Sequence, residues 1–187
     1  MGNGINRKID GDRLGSIELV VVDVDGVLTD GKFIIMPSGD EYKMFNAKDG
    51  AGIKYWIRVG GKVALISGRE SRSVSLRAEE LGVDILKQGC KNKADVLSEV
   101  LAELDVFPSA AMVIGDDLPD LPMFHMCGLA ACPSDAVEEV RCEADYVCRN
   151  GGGCGCVREV LELILKETGK WDKVMERYRV ESDGSQG

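Results

Sequence analysis

The chain has 187 residues, 23 Lys and Arg against 32 Asp and Glu for a formal charge of −9, and is 44% hydrophobic but only 5% aromatic. That length fits one domain, and that apolar share can bury a core, which excludes wholesale disorder. The excess of negative charge repels nucleic acid and anionic membrane surfaces at long range, so an anionic ligand must be met by a local cationic site or a metal.

Residues 1–16 and 181–187 are rich in Gly, Asp, Ser and Asn and lack periodicity, and read as flexible tails around a single domain over 17–180. The first residues have no apolar stretch of the secretory kind, and no run approaches the about 18–20 apolar residues of a membrane span. The most apolar run, 17–28, is interrupted by Glu18, Asp23 and Asp25. Seven cysteines, an odd number in a chain of this size, do not form a secreted disulfide framework and suit a reducing compartment. A cytoplasmic protein is expected. Cys148, Cys154 and Cys156 are close enough to raise a zinc site, but no CxxC pair exists and His125 is the lone histidine, so buried or loop thiols are the simpler reading.

The first expected strand, 19–22, is short, apolar and β-branched, as strands buried on both faces tend to be. Two β-prone runs follow, 32–36 and 41–45, joined by Pro37-Ser38-Gly39-Asp40: a β-hairpin inserted directly after the first strand. Helical spacing then covers 49–59, and strands at 63–66, 83–86, 111–114 and 129–131 alternate with helices at 71–81, 93–104 and 118–126. Gly82 closes the second of these helices. After residue 135 come a helix (136–141), a short strand (146–147), a glycine loop (150–155), a helix (156–166) and an amphipathic piece (171–178). Strands alternating with helices of about 10–15 residues argue an α/β fold, a doubly wound, mostly parallel, Rossmann-like sheet. In such a sheet ligands bind at the C-terminal strand edge, so the hairpin reads as a flap over the site. No room remains for a large cap domain.

The residues that carry chemistry fall at those strand ends. Asp23 and Asp25 close the first strand and alternate along it, which lets both point into one pocket, where a divalent cation or shared proton would relieve their repulsion. A cap or turn after the strand is the plainer alternative. Gly26 permits close backbone approach, so the amides of its turn could cradle an anion. Ser67, Gly68 and Arg69 follow the next strand; the hydroxyl could cap a helix or bind phosphate. Lys93 opens a helix, where a lysine is most often solvated but could also supply a point charge. Asp116, Asp117 and Asp120 follow the strand at 111–114, as an acidic helix start or as hard oxygen donors for Mg2+.

Taken in order, DVDGV at Asp23, the serine ending VALISGR, Lys93 and the GDDLPD run at Asp116 resemble the four motifs of haloacid-dehalogenase-type phosphatases. DVDGVLTDG, the hairpin, KMFNAKDGAGI, QGCKNK and NGGGCGCVRE further resemble the small, capless branch acting on 3-deoxy-D-manno-octulosonate 8-phosphate, with relatives acting on nononate 9-phosphates. The resemblance implies Asp23 as nucleophile, forming an aspartyl-phosphate, and Asp25 as acid and base. It implies Mg2+ held by the Asp23 carboxylate, the Asp25 carbonyl and the Asp116 carboxylate. Ser67, Lys93 and backbone amides near Gly26 would bind the phosphoryl oxygens, and Asp117 or Asp120 would orient Lys93 or a metal-bound water. Arg69 could meet the sugar-acid carboxylate or be a surface cation, with Lys48, Arg77 and Arg149 as further candidates. The resemblance also implies a homotetramer that encloses the substrate, and a place in bacterial surface-sugar (lipopolysaccharide) synthesis. One departure stands out: Cys154 occupies the place where the family's loop commonly carries an arginine. Two competing readings use the same fold, a non-catalytic assembly module and a phospho-accepting signalling domain.

Overall fold

The computed structural model describes residues 11–37, 39 and 41–179. Eight strands occur among them: β1 (Leu19–Val22), β2 (Ile34–Ile35), β3 (Glu41–Tyr42), β4 (Lys62–Ile66), β5 (Ile85–Lys87), β6 (Ala111–Ile114), β7 (Leu129–Cys132) and β8 (Tyr146–Val147). The helices are α1 (Gly11–Gly15), α2 (Ala47–Arg58), α3 (Arg72–Leu81), α4 (Lys93–Glu103), α5 (Leu121–Phe124), α6 (Glu138–Glu143), α7 (Cys156–Glu167) and α8 (Trp171–Glu176).

Six strands form one parallel sheet in the order β5-β4-β1-β6-β7-β8. Every residue of β1 and β6 is buried, and alternate residues serve opposite layers. Val20, Val22, Met112 and Ile114 pack towards α2, α3 and α7, whereas Leu19, Val21, Ala111 and Val113 pack towards α4, α5 and α6. The parallel α/β expectation therefore holds, and the unbroken apolar runs reflect burial on both faces. After β1 the chain runs outward through β4 and β5, then crosses back to β6 on the other side of β1. The strand order reverses at β1, and the ends of β1 and β6 open the crevice in which such sheets bind ligands.

The hairpin forms a separate two-stranded sheet, with Ile34 opposite Tyr42 and Ile35 opposite Glu41. Its paired region is shorter than the expected 32–36 and 41–45. Two of the four turn residues, Ser38 and Asp40, lie outside the described residues, as do 1–10 and 180–187, which hold most of the expected tails.

One boundary needs correction. Residues 11–16 are not tail: Gly11–Gly15 forms a helical turn whose Leu14 is buried together with Ile17. The spacing of those two apolar residues lets them close the core beside α7, and Arg13 fastens the turn by donating to the Gly128 carbonyl at 2.6 Å. The helix expected over 118–126 divides into a tight turn, Leu118–Asp120, and α5, because the Asp117 and Asp120 carboxylates bond the local backbone and draw the first turn tighter.

Candidate active site

Asp23 follows the last residue of β1, and its N–H donates to the Ile114 carbonyl at 2.9 Å, continuing the β1–β6 ladder by one residue. Its carboxylate therefore emerges at the reversal point of the sheet, 4% exposed. Lys93, the first residue of α4, reaches across and donates from Nζ to Asp23 Oδ1 and to Asp120 Oδ1, both at 2.6 Å. Asn92 holds the start of that helix by accepting from the Ala94 N–H at 3.1 Å. The other oxygen of Asp120 accepts from the N–H groups of Asp116 and Asp117, at 2.9 and 3.3 Å. Asp120 is thus the brace between Lys93 and the loop after β6, while Asp117 is exposed and caps the turn through the Leu118 N–H at 2.8 Å. The choice that the sequence left open between these two falls to Asp120 as the partner of Lys93.

Asp116 closes the group. Carboxylate oxygens of Asp23, Asp116 and Asp120 lie within 4.8 Å of one another. This approach depends on Gly26, which has a φ of +105°; a methyl group there would overlap the Asp116 carboxylate. Three carboxylates share one lysine. Burial first, and then the charge of Asp120, push the Asp23 carboxyl up to about 7 against the pull of Lys93. Burial, with Asp23 and Asp120 beside it, pushes Asp116 up to about 8. Lys93 moves the other way: burial opposes its charge, but the two carboxylates outweigh it and hold the ammonium above its usual range. A set of hard oxygen donors short of positive charge fits a divalent cation that takes oxygen ligands.

Asp25 points elsewhere. The chain reverses through Asp25 and Gly26, and the Asp25 carboxylate accepts a hydrogen bond from Lys43 of the hairpin. All these groups except Lys43 and Gly26 line one cavity of about 470 Å3, together with Gly68, Arg69, Cys90, Lys91, Asn92, Asp117 and the prolines 119 and 122. Ser67 sits at the tip of β4 as expected, but it is 1% exposed, lies outside that lining, and its Oγ accepts from the Arg69 N–H at 3.2 Å. Arg69 is at the rim, paired with Glu41 of the hairpin and stacked on Phe33 with its guanidinium carbon 4.4 Å from the ring centre.

The remaining basic candidates are not brought into this cavity. Lys48 is exposed on the first turn of α2. Arg77 pairs with Glu80 at 2.7 Å and stands over Phe45 in a neighbouring groove beneath the hairpin. Arg149 is exposed and paired with Glu159 at 3.3 Å.

Two supporting elements escaped the sequence reading. The first is the inner face of the hairpin, Phe33, Glu41 and Lys43. Its signal was the alternation in 41–44, where charged Glu41 and Lys43 turn inward and apolar Tyr42 and Met44 outward, the reverse of an ordinary half-buried strand. The second is the set of carboxylates that hold the glycine loop. Glu159 accepts from the N–H groups of Arg149 and Asn150, from Asn150 Nδ2 at 2.7 Å and from Tyr146 Oη at 2.8 Å. Burial opposes the charge of Glu159, but these donors hold it below its usual range. Asp135 accepts from the Gly152 N–H at 2.9 Å, and Asp49 from the Arg158 N–H at 2.7 Å. So held, the loop lies against the Gly26 turn, with the Gly153 N–H donating to the Val27 carbonyl at 2.9 Å. Cys148 and Cys156 are buried in the core and Cys154 is exposed on the loop.

Residues 76–151 match the family model of haloacid dehalogenase-like hydrolases. The 3-deoxy-D-manno-octulosonate 8-phosphate phosphatase of Escherichia coli K12 is 40% identical over 158 residues, 84% of each chain. The chain belongs to the haloacid dehalogenase-like hydrolases. Among solved members, the octulosonate phosphatase of Moraxella catarrhalis, in complex with magnesium, phosphate and the sugar acid, superposes with a TM-score of 0.87 at 36% identity, over 90% of this chain and 97% of that one. The cobalt-bound octulosonate phosphatase of Haemophilus influenzae gives 0.83 at 35% identity, over 84% and 92%. The hydrolase fold accounts for nearly the whole described chain.

Proposed function

We propose that the chain is a Mg2+-dependent phosphatase that hydrolyses 3-deoxy-D-manno-octulosonate 8-phosphate to the free sugar acid and phosphate. The observation that carries this reading is the single constellation of Asp23, Lys93, Asp116 and Asp120 at the sheet's reversal point, with Asp25 at its edge. A degenerate assembly module has no need to keep these groups together, and a phospho-accepting domain has no use for Asp25. The similarity to octulosonate phosphatases and the arginine at position 69 support this substrate over a nononate 9-phosphate.

In the proposed reaction an Asp23 carboxylate oxygen attacks phosphorus in line, and the bond to the sugar oxygen breaks as the new bond forms. Asp25 gives its proton to the departing alkoxide. It then takes a proton from the water that cleaves the aspartyl-phosphate, which frees Asp23. Lys93 and amides near Gly26 bind the phosphoryl oxygens, Asp120 keeps Lys93 aimed, and Ser67 holds the Arg69 turn beside them. Mg2+ held by Asp23, the Asp25 carbonyl and Asp116 would neutralise charge on the transferring group. An anionic ester could not otherwise approach a carboxylate nucleophile in a chain of charge −9.

The chain is proposed to work as a homo-oligomer, a tetramer by family resemblance, with the apolar outer face of the hairpin at the contact. Ile34, Tyr42 and Met44 are all exposed there. No helix among the described residues is long and apolar enough to cross a membrane. The free cysteines support a reducing, cytoplasmic setting. The test is phosphate release from the octulosonate ester beside a nononate 9-phosphate and simple sugar phosphates, with and without Mg2+. Turnover should favour the octulosonate, need the metal, and fall on the order of 10⁴-fold or more in Asp23→Asn. Preference for the nononate would move the substrate, and Asp23-independent release would end the mechanism.

A further inference from the structure

The hairpin places an ammonium on the proposed acid and base. Lys43 donates to the Asp25 carboxylate, and its side chain is 1% exposed. A buried lysine is costly unless paired, and its surroundings on the hairpin compensate only in part. Glu41 Oε2 is 3.9 Å away, and the Phe33 ring centre 4.7 Å. Glu41 is engaged through its other oxygen with Arg69, while Oε2 is buried without a hydrogen-bond partner among the described residues. The hydrogen bond that Lys43 makes is therefore to the body of the protein, across the mouth of the cavity.

We propose that Lys43 is a positioning residue for the phosphatase reaction: it fixes the Asp25 carboxylate in the orientation that serves the leaving oxygen and the attacking water, and so ties acid–base competence to the seating of the hairpin. The inference rests on the phosphatase reading above. Asp25 sits where the backbone reverses, at φ −88° and ψ 99°, with Gly26 following at φ +105°, and its side chain stands at the cavity edge. A carboxylate there can rotate about two bonds, and only part of that range reaches a sugar oxygen on phosphorus. Small errors in the placement of a reacting group cost rate rather than binding. Phe33 stacks against both Lys43 and Arg69, so a hairpin lifted from the body would withdraw Lys43 and break the contact with Arg69 in one movement.

The experiment compares Lys43→Met, Lys43→Arg, Asp25→Asn and the Lys43→Met/Asp25→Asn pair on two esters with Mg2+. One is the octulosonate 8-phosphate, whose alkoxide must be protonated, and the other p-nitrophenyl phosphate, whose phenolate leaves without a proton. Lys43→Met should lower kcat on the sugar ester by about 10–100-fold with little change in KM, part of the about 10²–10⁴-fold that acid–base catalysis supplies. Lys43→Arg, which keeps the charge and the hydrogen bond, should recover most of the rate. On p-nitrophenyl phosphate the first-turnover burst of phenolate should survive Lys43→Met, while steady-state turnover falls. In the Asp25→Asn background Lys43→Met should cost nothing further, because its effect passes through Asp25.

An unchanged kcat in Lys43→Met, an additive loss in the pair, or a rise in KM alone would overturn the proposal. Should Lys43→Met also lower the thermal midpoint, additivity in the pair still decides, because both members of that comparison then carry the same lesion. If the unaltered chain released no Asp23-dependent phosphate from either ester, the phosphatase reading itself would fall and take this inference with it.

Discussion

At the scale of single residues, the site is governed by a shortage of positive charge. Asp23 and Asp116 keep protons in the folded, metal-free chain that they release once unfolded, since their folded values stand at about 7 and about 8. Stability from these two groups is complete below the ordinary carboxylate range near pH 4 and is lost as the pH rises through those folded values. The thermal midpoint of metal-free protein should therefore fall between about pH 5 and 8.5, and Asp116→Asn should flatten that profile. Cation binding displaces the same protons, so the gain in midpoint on adding Mg2+ should grow over this window. A gain that shrinks with rising pH would contradict the assignment of these carboxyls to the metal.

Among the elements, the glycine loop has a local sequence untypical of a scaffold, yet it packs closely on the turn after β1. Gly152 lies against the backbone of the Gly26 turn, so that a methyl group there would overlap the Gly26 carbonyl. Neither backbone can yield without shifting the other, and Gly26 in turn leaves room for Asp116. Gly152→Ala should cost about 1–3 kcal/mol of stability by overpacking, and should weaken Mg2+ binding as well, measured by denaturant unfolding and by titration calorimetry. A stability loss with unaltered cation affinity would show that the loop does not support the site. Cys154, by contrast, is exposed on this loop.

For the whole molecule, the hairpin carries two faces of opposite character. Its inner face is ionic and fastened to the body through Lys43 and Arg69, while its outer face is apolar. This exposed apolar surface, beside a cavity that no cap domain covers among the described residues, is the face at which the proposed homo-oligomer would meet. Replacing Tyr42 and Met44 by Asp should lower the assembly mass seen by sedimentation at assay concentration and raise KM. A monomeric unaltered chain would contradict the proposed assembly.

The strands, their parallel arrangement and the acidic pairs at their ends were legible in the sequence because each rests on local pattern: unbroken apolar runs for strands buried on both faces, and charged residues where those runs stop. β1, β6 and β8 have the bounds read from the sequence. What only the tertiary structure decided depends on residues far apart in the chain. Lys93 bridges Asp23 and Asp120 across 70 and 27 positions, and that contact alone separates Asp120 from its neighbour Asp117. Lys43 meets Asp25 because the hairpin folds back over the strand that precedes it. Leu14 and Ile17 are buried because they meet α7, more than 100 residues later. Spacing in a sequence determines which side chains share a strand or helix face, but which faces meet is set by the packing of the whole sheet.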